Sequence, residues 1–267
     1  MLNRLLLLAF GTGALVFAQR GLTFRASFDG GTDATVAKGD KRLYSAANYK
    51  AQGEATPGLN SPDIELAKGA GKTGDALRFK KKNERAIFFK ADKNVNFDPK
   101  NWTGTISYWL KLDPDKELAP GYCDPIQVTD KAYNDSAIWT DFTKDDSPRH
   151  FRLGVFGALK AWNPTDIPPD KNPAFNSRLV ISSKPPFAAN KWTNITVTFS
   201  GLGSGKGTAK FYLDGKFIGT TPTVTEKFEW HMSKAAIRLG VAYVGLFDEV
   251  SIFDRVLSDA EVAALAR

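Results

Sequence analysis

The sequence predicts an all-β protein, a two-sheet antiparallel jelly-roll sandwich with a short C-terminal helix. Three observations carry this expectation. Short segments with apolar residues at every second position recur along the chain, as expected of strands buried on one face. Helix signals are convincing in one segment only. Strands do not alternate with helices, so no parallel βα architecture is indicated.

Taken in order, strands are expected at 22–28, 76–80 and 85–89. In 105–112 (TISYWLKL), Ile106, Tyr108, Leu110 and Leu112 share one face; Thr105, Ser107, Trp109 and Lys111 share the other. Further strands are expected at 137–142, 150–156 and 177–182. In 192–199 (WTNITVTF), Ile195, Val197 and Phe199 oppose Trp192, Asn194, Thr196 and Thr198. Residues 207–213 follow, and Asp214-Gly215 supplies a tight turn into 216–220, which predicts a hairpin. Strands at 236–239 and 245–253 complete the set. Ser258 with Glu261 three residues later forms a capping box for a helix ending near Ala266. The Pro- and Asp-rich stretches 113–125 and 162–174 read as long surface loops, flanked by strands of the same kind.

Residues 1–18 carry Arg4, a run of apolar residues and small Val16 and Ala18 before Gln19. This is the pattern of a signal peptide, too short to span a bilayer; an uncleaved anchor is the alternative. Residues 19–267 are then one exported domain, secreted, periplasmic or at a cell surface, with no membrane span.

The 267 residues include 36 Lys or Arg and 29 Asp or Glu, a formal charge of +7. The basic excess is spread out, and Lys80-Lys81-Lys82 is its main run. No stacking aromatics are interleaved with it in any nucleic-acid module, so a nucleic-acid partner is not expected. One cysteine excludes an intrachain disulfide framework and a zinc site built on Cys pairs. Cys123 is expected to be buried.

Several segments together resemble the laminin G-like jelly-roll family of the concanavalin A-like lectin/glucanase superfamily. They are FRASFDG at 24–30, GDALRF at 74–79, TISYWLK at 105–111, KWTNIT at 191–196, FYLDGK at 211–216 with Gly219, and GLFDEV at 245–250 with Arg255, Leu257 and Ser258. The resemblance implies an extracellular domain that binds glycans or proteins. It also implies a possible structural calcium, with Asp29 and Asp248 as the matching ligand positions. The glucanase branch carries two catalytic glutamates in a Glu-x-Asp-x-Glu pattern on one strand face, and nothing here matches it. Asp248 and Glu249 are adjacent, so regular alternation puts them on opposite faces.

One constellation suggests a ligand site. In 137–142, Ala137, Trp139 and Asp141 share a face; in 150–155, His150, Arg152 and Gly154 do. If the opposite, apolar faces point to the core, a hairpin brings Trp139, Asp141, His150 and Arg152 together. An aromatic ring beside polar and charged groups suits a sugar: the ring stacks on its face and the polar groups bond its hydroxyls. A buried ion-paired layer beneath 162–174 is the competing interpretation. Trp109 and Tyr212 are candidates to extend the same surface.

The functional expectation is a secreted, non-catalytic binding module for carbohydrate or another extracellular surface. The alternatives are a polysaccharide hydrolase or lyase using Asp141 and His150 as acid and base, and a structural or adhesion module that binds an extracellular protein.

Overall fold

A computed structural model describes residues 20–267 of the chain; the expected signal segment 1–18 lies outside them. The strands run in the order β1 (Leu22–Ala26), β2 (Val36–Ala37), β3 (Leu43–Ala46), β4 (Thr56–Pro57), β5 (Ile64–Ala67) and β6 (Ala76–Phe79). Next come β7 (Ala86–Lys90), β8 (Trp102–Lys111), β9 (Cys123–Thr129), β10 (Ala137–Phe142), β11 (Phe151–Phe156) and β12 (Val180–Ser182). The last are β13 (Thr193–Leu202), β14 (Thr208–Leu213), β15 (Lys216–Thr220), β16 (Ala236–Val241) and β17 (Gly245–Phe253). Helices are short: α1 (Pro114–Glu117), α2 (Leu159–Trp162), α3 (Pro173–Asn176) and α4 (Asp259–Leu265).

Two antiparallel sheets result. The first has the order β15-β14-β13-β8-β17-β1-β2, with β6 also pairing β17 and β5 pairing β6. The second has the order β12-β11-β10-β9-β16-β7-β3-β4. Ile106, Tyr108, Leu110, Ile195 and Val197 of the first sheet pack in one core with Ile126, Val128, Ile138, Leu153 and Ile237 of the second. A bond of 2.5 Å between the hydroxyls of Tyr108 and Thr140 crosses this core. The expected alternation therefore faces the way the sequence indicated, and Cys123 is buried in the same core. Its thiol is pushed up by burial.

The C-terminal helix forms where expected. Ser258 accepts from the Glu261 amide at 3.3 Å, and Glu261 accepts from the Ser258 amide at 2.8 Å. The strand expected at 177–182 shortens to β12, because the amides of Ser177, Arg178 and Leu179 donate back to the carbonyls of Pro173, Phe175 and Asn176 and hold 177–179 in turns. Short β2, β3, β4 and β5, and the longer β9, were not anticipated. The opposite-face expectation for Asp248 and Glu249 fails for a local reason. The β17–β8 register slips between Asp248 and Ser251, and Glu249 sits at φ 54. This bulge turns Glu249 outward, where Arg25 donates to its carboxylate at 2.9 and 3.0 Å. Among the described residues no helix is long and apolar enough to cross a membrane.

Candidate functional site

The β10–β11 hairpin builds the site. Asp141 pairs opposite Arg152, and Trp139 opposite Gly154. Ile138, Thr140 and Phe142 point inward, so Trp139 and Asp141 stand on the outer face of the second sheet. Gly154 is required at its position: a Cβ there would lie 2.2 Å from the Trp139 ring. The indole instead lies over bare backbone, stacked with Phe156 and Phe175 at 6.0 and 6.1 Å between centroids.

Residues 159–179 fold over this face. Phe175 and Trp162 join Ala137, Trp139 and Phe156 in a small apolar cluster of their own. The cover is anchored by the Trp162 Nε1–H donating to the Asn134 carbonyl at 3.0 Å, and by Arg178 donating to Glu226 at 2.7 Å. A cleft of about 340 Å³ is left beside the cluster, lined among others by Tyr122, Asp124, Tyr133, Asp141, Arg152 and Phe175.

The expected residues fare differently. Trp139 is only 1% exposed, so its ring is not a free stacking platform but the floor of the cleft. Its Nε1–H is buried and has no hydrogen-bond partner among the described residues. Asp141 and Arg152 do meet: the guanidinium Nε donates to Oδ1 at 2.8 Å, and Nη2 donates to Oδ2. Both side chains are nearly buried. His150 does not join them. It precedes β11, outside the cleft, with Nδ1 3.6 Å from Asp146 at the hairpin end. An acid–base pairing of Asp141 with His150 therefore has no geometry here.

Trp109 and Tyr212 belong to the other sheet, on the far side of the sandwich. Trp109 carries the Lys72 ammonium 4.6 Å above its ring, beside a groove that also holds Arg25 and Glu249. Tyr212 is covered by α4 and donates to Asp259 at 2.7 Å. Neither extends the Trp139 surface. The sheets face each other with their apolar sides, so the outer side of one is remote from the outer side of the other.

Sequence reading missed Asp124, Tyr122, Tyr133 and Phe175. Asp124 lies on β9, where the register against β10 slips between Thr140 and Phe142. Thr140 pairs with Ile126 and Phe142 with Cys123, so Asp124 and Pro125 together face the single residue Asp141. This is a β-bulge, and Pro125 suits it because the extra residue need not donate to the ladder. Asp124 accepts from Gln127 Nε2 at 2.5 Å. Burial, then the neighbouring Asp141 charge, pushes the Asp124 carboxyl up to about 8, against the pull of Gln127 and Arg152. Tyr122 is held by its loop, which Arg149 fixes by donating to the carbonyls of Gly121, Ala119 and Thr143 at 2.9, 3.0 and 3.1 Å. Tyr122 is 46% exposed, and Arg152 lies 5.1 Å from its ring centre. It is the accessible aromatic of the cleft.

The metal expectation concerns a different place. Asp29 Oδ1 accepts from the Asp75 amide at 3.0 Å, and Asp248 Oδ2 accepts from the Lys72 amide at 2.7 Å. Both carboxylates thus meet the 69–75 loop. Asp248 is fully buried and accepts also from the backbone amides of Glu249 and Thr73, and burial raises it to about 7. No group of three metal-ligating side chains occurs among the described residues. Calcium takes about 6–8 oxygens, so the two carboxylates fit it only with backbone carbonyls of the loop added.

The family description of the laminin G-like group within the concanavalin A-like lectin/glucanases superfamily matches residues 83–263. Domain 4 of AbnA, an extracellular arabinanase of Geobacillus stearothermophilus solved with arabinotriose, is similar at a TM-score of 0.57 and 17% identity, over 92% of this chain and 98% of that one. Trypanosoma rangeli sialidase is similar at a TM-score of 0.52 and 14% identity, over 92% of this chain and 32% of that one. The binding domain of botulinum neurotoxin DC, solved with rat synaptotagmin II, gives a TM-score of 0.52 and 12% identity, over 92% and 51%. This chain thus spans about a third of the sialidase and half of the toxin domain, and at these identities the likeness is one of fold. No curated protein matches significantly. With more than half of its length matched and the two-sheet sandwich in place, the chain belongs to the concanavalin A-like lectin/glucanase superfamily.

Proposed function

We propose that the cleft over β9, β10 and β11 binds a saccharide, and that the protein is an exported, non-catalytic carbohydrate-binding module. The observation that carries this reading is the buried Trp139 indole N–H, left without a partner at the floor of a cleft. Leaving a buried donor unpaired costs ~1–3 kcal/mol, a cost that a ligand acceptor would remove. The exposed Tyr122 ring at the mouth supplies a face for a sugar ring, and Asp124, Asp141 and Arg152 supply polar groups. Arabinotriose bound to the arabinanase domain, a neighbour that the chain covers almost end to end, supports a saccharide as the ligand class. The leader pattern of residues 1–18 supports export, and N-terminal sequencing of the exported protein should begin at residue 19.

The test is retention on an immobilised glycan panel with reducing-end detection. Retention without product is expected. Tyr122→Ala removes the stacking face and should weaken retention about tenfold; Trp139→Phe keeps the ring, removes the N–H, and should weaken it several-fold. Unchanged retention in both variants overturns the assignment of the cleft. A second reading, hydrolysis, draws on the pairing of Asp124 with Asp141, because a raised acid beside a carboxylate is the arrangement glycosidases use. New reducing ends that disappear in Asp124→Asn would establish it.

Structural calcium at Asp29 and Asp248 is a separate proposal. Its support is the buried Asp248 carboxylate, to which only backbone amides are seen to donate among the described residues.

A further inference from the structure

The cleft contains two acids and two cations, and one of the cations, Arg152, is committed to one of the acids. Asp141 engages Arg152 through both of its oxygens. Asp124 faces Asp141 across the bulge, and the side chain that donates to it is the neutral amide of Gln127. Lys144 at the rim lies 3.3 Å from Asp145. The remaining walls, Tyr122, Tyr133, Trp139, Pro169, Phe175 and Asn176, carry no charge at neutral pH.

Cross-strand neighbours are ~5 Å apart, and two like charges at that spacing in a poorly hydrated cleft repel strongly. Arg152 fixes the negative charge on Asp141. Asp124 then keeps its proton, and burial favours the same state. Inside the cleft the Asp141–Arg152 pair cancels, and the remaining charge is that of Lys144 at the rim, beside the exposed Asp145. An anionic sugar would place a carboxylate or sulfate beside Asp141, whose Arg152 partner is already engaged through both carboxylate oxygens. A neutral sugar needs donors and acceptors, and a protonated carboxyl offers both.

We propose that this cleft selects uncharged saccharides, and that Asp124 meets the sugar as a neutral carboxylic acid, donating a hydrogen bond to one of its oxygens. The inference rests on the reading of the cleft as a saccharide site. Raising the pH removes the Asp124 donor and leaves a second, half-buried negative charge next to Asp141. Tyr122, Tyr133, Lys144 and Arg152 face the same space from the loops and from β11. Asp141 faces it too, raised by burial, so the loss of binding between about pH 6 and about pH 9 is assigned to Asp124 by its disappearance in Asp124→Asn.

The experiment measures affinity of the full chain by calorimetry at about pH 6 and about pH 9. Its probes are neutral arabinan, xylan and β-glucan oligosaccharides, polygalacturonate and heparin fragments, and chitosan. Wild type is expected to bind a neutral oligosaccharide, to bind the anionic ones at least about tenfold more weakly, and to lose about tenfold affinity at the higher pH. Asp124→Asn, a neutral group of the same shape, should show no pH loss, whatever its affinity at the lower pH. Circular dichroism confirms that this variant is folded. Equal or tighter binding of an anionic saccharide or of chitosan overturns the inference, as does a pH loss that survives in Asp124→Asn. If wild type binds none of the probes at either pH, the reading of the cleft as a saccharide site fails first, and the inference falls with it.

Discussion

Arg152 is the residue whose removal should be felt most. It neutralises Asp141 inside a face covered by residues 159–179, and taking it away strands a carboxylate that is only 3% exposed. Breaking a buried pair from one side costs ~3–5 kcal/mol. Arg152→Ala should therefore lower stability by about that amount in urea titration, while the double variant Arg152→Leu with Asp141→Leu should recover most of it. Asp124 acts in the opposite sense. Its carboxyl rises on folding to about 8, so the native state holds the proton over a range where the unfolded chain, near ~4, has lost it. Stability should then fall as pH rises from about 4 to about 8 and level off above. Asp248, raised to about 7, contributes in the same direction. Asp124→Asn should match wild type near pH 4 and exceed it near pH 9, with denaturation midpoints as the measure. A variant no more stable than wild type at the higher pH would show that folding does not raise the Asp124 carboxyl.

At the scale of elements, strands with strict alternation were legible. Segments 137–142, 216–220 and 245–253 occur with the bounds expected of them, and the capping box started α4 where Ser258 and Glu261 pointed. These cases share one property: one local rule decides the structure. Strand β9 was missed because the extra residue at Asp124–Pro125 breaks the period of two, and that same residue forms part of the cleft. Phe175 and Tyr133 were missed because they come from connecting segments whose placement depends on long-range contacts such as Arg178–Glu226 and Trp162–Asn134. His150 was misjudged because alternation was extended one residue past the strand, into the hairpin end. The 159–179 segment rests on one small cluster, and Phe175 is central to it. Phe175→Ala should cost ~3 kcal/mol locally. Hydrogen exchange should rise across 159–179 while β10 and β13 stay protected; uniform loss of protection would show that the segment is no separate unit.

For the whole molecule, the sandwich separates two outer surfaces. One bears the cleft; the other bears Trp109, Lys72 and Glu249 near the loop that joins Asp29 to Asp248. If calcium occupies that loop, chelation should lower the melting temperature of the purified protein and added calcium should restore it. An unchanged melting temperature removes the metal. Neither result bears on the cleft, which lies on the opposite sheet. The central claim is best tested by nuclear magnetic resonance of the tryptophan indole N–H groups during titration with an oligosaccharide that the protein retains. The account predicts that the Trp139 resonance moves as its free donor gains an acceptor, while those of Trp109 and Trp230 stay in place. A titration in which Trp109 or Trp230 moves and Trp139 does not would contradict it.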